Sequence, residues 1–505
     1  MNKRFNNDDW TLWIQNACPM FVTVMFDPAF NDMRKYIGSP YFNLVAFFGE
    51  DDCGNYMGRI VCRHDEVRLL GVKLLDMLLC PQYRDSFDKL VAKTKDKCIK
   101  ETKVVLSNEY SITQALDKFD KLAKLYANYM KYALLHESIQ AQAEYVLRQY
   151  VEKNYPASEV NDVMITLMTP TEDTFSVDIL KSLYRCSLAY EAKSDELQEL
   201  LDDHSRRFHW KMNNYYSITH VTAEDVLKEV KEHSSAYYNN LIKQASELKE
   251  KTLKAKQGIC DTLPSHIKNI VDIINTYGGK FIDDRQFMYM HTDAGLDRLL
   301  QVVARHTNTP IEDVRLLTPR ELRYFASNPT SYKQRFEERK ERFLWVQTDF
   351  PLIDEIIEKT DKLLPMREPF IAEGDVAMQV AEKLNARLNF FDTDDLSNKT
   401  LKGVVPYKAD DEIIGIVRVI KNPKTEKLNV GEILVSPSTT PDYLTAMHNS
   451  IAIIVDYGGL TSHAGIISRE LKKPCIIGTN YASAVLKTGQ RVRMNFVDGT
   501  IEVIE

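Results

Sequence analysis

No run of about eighteen apolar residues occurs in this 505-residue chain, so nothing in it reads as a membrane-crossing helix. The opening stretch MNKRFNNDDWTLW turns acidic and aromatic, where a secretory leader needs an apolar segment. The expected location is the cytoplasm, with no membrane partner. A basic excess is missing as well: 65 Lys+Arg face 72 Asp+Glu, for a formal net charge of -7. A nucleic-acid backbone attracts the opposite balance, so nucleic acid is not an expected partner. The eight cysteines (Cys18, Cys53, Cys62, Cys80, Cys98, Cys186, Cys260, Cys475) include no C-x-x-C pair. They lack histidines at zinc spacing, so they read as reduced thiols and no metal site is expected from them. The first 390 residues also hold no glycine-rich phosphate loop.

Glycine is absent between Gly71 and Gly258, whereas nine of the nineteen glycines lie after residue 395. A long glycine-free stretch suits helices, which an interior glycine weakens by about 1 kcal/mol. A change of architecture is therefore expected near 395, and the length suits about two to four domains. Before that point, Ile112, Ala115, Leu116, Phe119, Leu122, Ala123, Tyr126 and Tyr129 recur at helical spacing behind Ser111 and Gln114, a capping box. Further helices are predicted over 176–192, 195–209, 222–257 and 263–277, the third opening on Thr222 with Asp225. Thr309-Pro310-Ile311-Glu312 and Thr318-Pro319-Arg320-Glu321 each offer an N-cap threonine, a proline at the first helical position and a glutamate at the third. Residues 1–65 mix aromatic, β-branched and helical character and stay undecided, while 66–390 is expected to be a helical domain.

After 395 the pattern shortens into strand-like runs: IIGIVRVI (413–420), EILV (432–435), IAIIV (451–455), CII (475–477), RVRMNF (491–496) and TIEVI (500–504). Helices interrupt them at Thr440-Pro441 and just after Thr461, giving a compact α/β domain over 395–505. The fold class is thus multidomain, a mostly α-helical N-terminal domain followed by a small α/β domain.

The segment that carries chemistry is Asp456-Tyr-Gly-Gly-Leu-Thr-Ser-His-Ala-Gly-Ile-Ile-Ser-Arg-Glu-Leu-Lys-Lys-Pro-Cys-Ile-Ile-Gly478. Gly458 and Gly459 turn the chain sharply out of a buried strand, Thr461 or Ser462 can cap, and a helix opens at about His463 with Ile466, Ile467 and Leu471 inward. The imidazole then sits in the first helical turn. Free backbone N–H groups and the positive end of the helix dipole favour an attached phosphoryl group there, and they disfavour imidazolium. Both effects suit a covalent phosphoryl carrier. Gly459, Thr461 and Ser462 are its expected phosphate-contacting or capping residues.

G-G-x-T-S-H-A-x-I-x-x-R-E-L-x-x-P-x-x-x-G resembles the signature of the swivelling phosphohistidine domain of phosphoenolpyruvate-utilising enzymes, which include phosphoenolpyruvate synthase, pyruvate phosphate dikinase and rifampicin phosphotransferase. The likeness extends through Leu401-Lys-Gly-Val-Val, Gly431-Glu-Ile-Leu-Val-Ser-Pro-Ser-Thr-Thr-Pro-Asp and Leu486-Lys-Thr-Gly-Gln-Arg-Val, and so covers roughly 395–505. Gly465 stands where the family usually carries alanine. Leu200-Leu-Asp-Asp-His-Ser-Arg-Arg-Phe-His-Trp210, Leu300-Leu-Gln-Val-Val-Ala-Arg and Ile311–Leu322 resemble, less specifically, the helical segment preceding that domain. The resemblance implies a phosphotransferase component in which His463 takes a phosphoryl group and relays it to a small-molecule acceptor. The donor would be ATP, bound with Mg²⁺ on a separate ATP-grasp partner, or phosphoenolpyruvate. The chain is expected to start too late for an ATP-grasp domain of its own and to end before any phosphoenolpyruvate-binding barrel, and polar runs over 395–412 would flank the hinge. The alternative is a non-catalytic regulatory or binding protein that keeps both domains.

A second group of residues is weighed for the acceptor. His204, Arg207, His209 and Trp210 form a dense cluster that could bind an anionic or aromatic molecule, or simply a solvated helix face. Asp283, Asp284, Arg285 and His291 lie at a polar break that could meet an incoming phosphohistidine. Arg469 is expected to point away from His463 into a salt bridge, and His448 to be structural.

Overall fold

The computed structural model describes residues 4–5, 10–26, 44–50, 56–170, 172–277, 281–347, 369–388, 391–392, 400–408, 410–460 and 462–504. Its contacts group the chain into two units, the first from Met1–Gln142, Tyr215–Ile218 and Met288–Asp394, the second from Ala143–Asn214, Thr219–Phe287 and Asp395–Glu505. Residues 395–505 therefore group with part of the helical region rather than standing apart.

In the first unit, the described parts of the undecided N-terminus include strands. Strands Trp10–Asn16, Tyr56–Arg63, Leu44–Glu50, Phe343–Gln347 and Phe370–Glu373 form, in that spatial order, an antiparallel sheet. Leu44 pairs with Gln347 and Phe48 with Phe343, partners some three hundred residues away, which no local pattern announces. Helices such as Pro81–Leu106 and Ile112–Ala133 belong to this unit, and the Ser111–Gln114 capping box forms as expected. One of its fully buried charges is Arg339. That guanidinium donates to Glu321 (2.7 Å), Glu373 (2.6 Å) and the Leu316 carbonyl (2.7 Å), so a fully covered cation is neutralised by two carboxylates. Thr318 and Glu321 complete their capping box. Thr309 does not cap: its N–H closes the preceding helix on Ala304, and Pro310 occupies the cap position.

The second unit holds helices Val160–Met168, Phe175–Glu191, Leu197–Phe208, Ala223–Glu232, Ser235–Thr262 and Ser265–Asn275. The predicted helix 222–257 is two helices, the first capped by Thr222 and Asp225, the second by Ser234. Its sheet contains β1 (Leu401–Lys402), β2 (Val404–Tyr407), β3 (Glu412–Val419), β4 (Ile433–Ser436), β5 (Ala452–Val455), β6 (Cys475–Ile477), β7 (Arg491–Asn495) and β8 (Thr500–Val503), in the order β1-β8-β7-β3-β4-β5-β6-β2. Strands β3 to β6 run parallel and the flanking pairs antiparallel. Strands β4, β5 and β6 are buried on both faces, which is why they read as unbroken apolar runs. Val417, Ile433, Val435, Ile454 and Ile476 pack one face. Leu434, Ile453, Val455 and Ile477 pack the other, against Ala464 and Ile467 of the helix His463–Glu470 and its C-cap Leu471. Among the described residues no helix is long and apolar enough to cross a membrane, and the seven described cysteines are free.

Candidate functional site

Parallel strands deliver their following loops to one edge of a sheet, where open α/β folds place their sites. Here the carboxyl ends of neighbouring β4 and β5 bring Thr439 and His463 together. After β5, Asp456 is buried and anchors the exit: it accepts from Thr479 Oγ1 (2.8 Å), the Ser483 amide (3.1 Å) and the Ser483 hydroxyl. Burial pushes its carboxyl up to about 6 despite those donors. Gly458 then takes φ +133°, and a Cβ there would sit 2.7 Å from Ser462 Oγ, so only glycine makes this turn. The Ser462 amide donates to the Gly459 carbonyl (2.9 Å), and Ser462 Oγ caps the helix by accepting from the Gly465 amide (3.2 Å). Thr461 lies outside the described residues.

The first residue of that helix is His463, 8% exposed. Its Nδ1 lies 2.9 Å from Thr439 Oγ1. Its ring stacks on Phe175 at 5.9 Å with a 9° interplanar angle, and its Nε2 is buried with no partner among the described residues. Burial holds its pKa down to about 4, so the ring is neutral at physiological pH. The tautomer that carries its proton on Nδ1 and donates it to Thr439 Oγ1 leaves the lone pair on Nε2, where it can act as a nucleophile. Gly465 has a packing role beyond the cap: a Cβ would meet the Gly459 and Leu460 carbonyl oxygens, each at 2.8 Å.

The remaining sequence candidates separate. Trp210, 2% exposed, packs edge-on against Phe175 (5.3 Å) and Phe287 (5.6 Å) and donates Nε1 to the Arg207 carbonyl, which puts it one layer behind His463. His204 is fully buried between Ser182 Oγ (2.9 Å) and Lys211 Nζ (3.1 Å), and burial holds it down to about 2. Lys211 in turn reaches Glu229 (2.5 Å), so His204 serves a structural network. Arg207 faces Asp203 (3.6 Å) and covers the Phe208 ring. His209 pairs rings with His220 and is held down to about 4 by burial. Arg285 is half-buried in the second unit, whereas His291 is buried in the first, so these two fall in different units. His448 is held down to about 4 by burial. The salt bridge expected for Arg469 is corrected: its Nη1 donates 2.7 Å back to the Leu460 carbonyl, because the side chain folds under the glycine turn.

Sequence reasoning passed over Thr439, Phe175 and Glu470. Thr439 lies inside the quoted Ser-Thr-Thr-Pro-Asp run, a signal that could have found it. Glu470 Oε2 accepts from Thr174 (2.7 Å) and Ser176 (2.5 Å), a pairing across nearly three hundred residues that had no local signal.

This strand, glycine turn, capped helix and buried imidazole lie within the part of the chain that known proteins match. A family model described as "PEP-utilising enzyme, mobile domain" matches residues 428–499, so this region of the chain is similar to the mobile domain of phosphoenolpyruvate-utilising enzymes. Among its relatives, phosphoenolpyruvate synthase of Pyrococcus furiosus is 46% identical over 85 residues, 17% of this chain and 10% of that protein. The probable phosphoenolpyruvate synthase of Staphylothermus marinus is 42% identical over 93 residues (18% and 11%). That of Aquifex aeolicus is 38% identical over 92 (18% and 11%). The chain thus spans about a tenth of the length of these relatives.

Proposed function

We propose that this chain is a phosphotransferase component whose His463 is transiently phosphorylated and passes the phosphoryl group to a small-molecule acceptor. The neutral imidazole, held by Thr439, is the observation that carries the reading. Nε2 attacks the donor's phosphorus, an N–P bond forms and the donor's P–O bond breaks. The acceptor hydroxyl then attacks the same phosphorus and its proton is lost, while the N–P electron pair returns to Nε2. The donor is ATP on an ATP-grasp partner, or phosphoenolpyruvate. Mg²⁺ would come with the nucleotide on the partner and offset the charge of its phosphates. Because Nε2 is buried, phosphorylation requires residues 395–505 to swing so as to expose it, with 66–390 supplying the acceptor and partner surfaces.

The test is intact mass and acid lability after incubation with ATP plus a candidate ATP-grasp chain, and with phosphoenolpyruvate. One acid-labile phosphate, lost in His463→Ala, is expected; labelling that survives the substitution overturns the mechanism. The covered Nε2 is also what a regulatory, non-catalytic protein would show, and a folded chain that takes no label from either donor supports that second reading.

A further inference from the structure

His463 lies at the carboxyl ends of β4 and β5. At the opposite, amino ends of β5 and β6 the second unit gathers basic side chains that the carrier reading does not use. His448 stands in the last turn of the short helix Leu444–Asn449, two residues before Ser450. Lys473 follows the helix His463–Glu470 and precedes β6, and its Nζ donates to the Ser450 carbonyl (2.6 Å), which brings it back beside His448. His233 closes the helix Ala223–Glu232 just ahead of Ser234, the N-cap of the next. Its ring stacks on Tyr237 (4.1 Å, 19°) and meets Tyr238 edge-on (6.1 Å, 85°), so two tyrosines fix the plane of the imidazole.

His448 feels the charges of both other groups. Burial holds it down to about 4, and the repulsion of Lys473 and then of His233 adds to the depression. Burial also holds Lys473 below the ordinary lysine value. Among the described residues no carboxylate offsets either of them. The acids on neighbouring elements are turned elsewhere: Glu191 takes the Ser235 amide and hydroxyl (2.6 Å each), and Glu229 pairs with Lys211 (2.5 Å). Glu232, beside His233 in sequence, is exposed. His233, His448 and Lys473 all keep partial exposure, and neither imidazole hydrogen-bonds to any described residue. Lys473 meets only a neutral oxygen. A partly desolvated ammonium beside imidazoles with open nitrogens is a costly arrangement until an anion meets it.

We propose that His233, His448 and Lys473 bind a phosphate dianion, free or as the end group of a small ester. Such an ion brings the missing opposite charge and several acceptor oxygens, while each imidazole offers an N–H and the ammonium has donors left beyond the one on Ser450. The site stands apart from the carrier histidine, because β5, with its four residues, spans about 13 Å between its two ends. Binding here does not depend on phosphorylation of His463.

Inorganic phosphate, phenyl phosphate and acetate are titrated separately into the full chain by calorimetry at constant ionic strength. Saturable phosphate binding is expected, with acetate weaker by about tenfold or more, and His448→Gln and Lys473→Met should each weaken phosphate by a similar factor. His463→Ala should leave it unchanged, which separates this site from the glycine turn of the carrier helix. Phenyl phosphate binding tighter than inorganic phosphate supports an ester as the occupant, and weaker binding supports the free ion. Where Lys473→Met fails to fold, imidazole NMR of the unaltered protein carries the test: phosphate should shift the His448 and His233 signals, each identified by its loss in His448→Gln or His233→Gln. Equal binding of acetate, binding that both His448→Gln and Lys473→Met leave intact, loss of binding in His463→Ala, or no saturable phosphate binding overturns the assignment.

Discussion

Removing the aromatic ring stacked on it is the sharpest probe of His463. Phe175 lies almost parallel to the His463 ring at 5.9 Å, and burial holds the imidazole at about 4 instead of 6.5. That depression corresponds to ~3 kcal/mol in favour of the neutral ring. The sign follows directly. The folded group binds its proton less tightly than the unfolded one, so its contribution to stability is complete above pH 6.5 and is lost as pH falls toward 4. Phe175→Ala replaces the stacked face with open space, at a cost of ~0.5–1.5 kcal/mol for the ring pair beyond lost burial, and readmits water to Nε2. The imidazole pKa should rise by about one pH unit or more. Imidazole NMR signals followed against pH report it, with His463 assigned by its loss in His463→Gln. If His463 of the unaltered protein already titrates near 6.5, the covered arrangement is not the one populated in solution and the reasoning fails.

Thr439→Val leaves Nδ1 buried without a partner, costs about 1–3 kcal/mol and should slow phosphate incorporation at least about tenfold, while Thr439→Ser restores most of the rate; equal initial rates for valine and serine would refute the tautomer argument. Gly465→Ala gains ~1 kcal/mol of helix propensity but drives a Cβ against two carbonyl oxygens at 2.8 Å, so net destabilisation by about 1–3 kcal/mol is expected in denaturant titration; a stabilised variant would contradict it. Asp456→Asn tests the strand exit. Its folded carboxyl, at about 6, binds a proton more tightly than the unfolded group at 3.8, so stability from this group falls as pH rises between those values, and the substitution should remove that slope from denaturation midpoints measured over the window. In the first unit, Glu373→Gln strips one carboxylate from the buried Arg339 and should cost ~3 kcal/mol or more, read as a lower unfolding midpoint.

Local chemistry was legible wherever neighbours in sequence are neighbours in space. The Ser111–Gln114 and Thr222–Asp225 capping boxes, the apolar runs of β4 to β6, and the glycine turn feeding a serine-capped helix at His463 follow from backbone sterics and hydrogen bonds within a few residues. They gave the small α/β region and its histidine before any coordinates. Long-range pairing decided the rest. Strand Leu44–Glu50 acquires its place from the distant strand Phe343–Gln347, which in turn pairs with Phe370–Glu373. Thr439 reaches His463 only because β4 and β5 lie side by side. Phe175 and the Thr174 and Ser176 hydroxyls find the carrier helix across almost three hundred residues. Burial is a property of the assembled core and not of any segment, so the neutrality of the imidazole was decided by the tertiary structure alone.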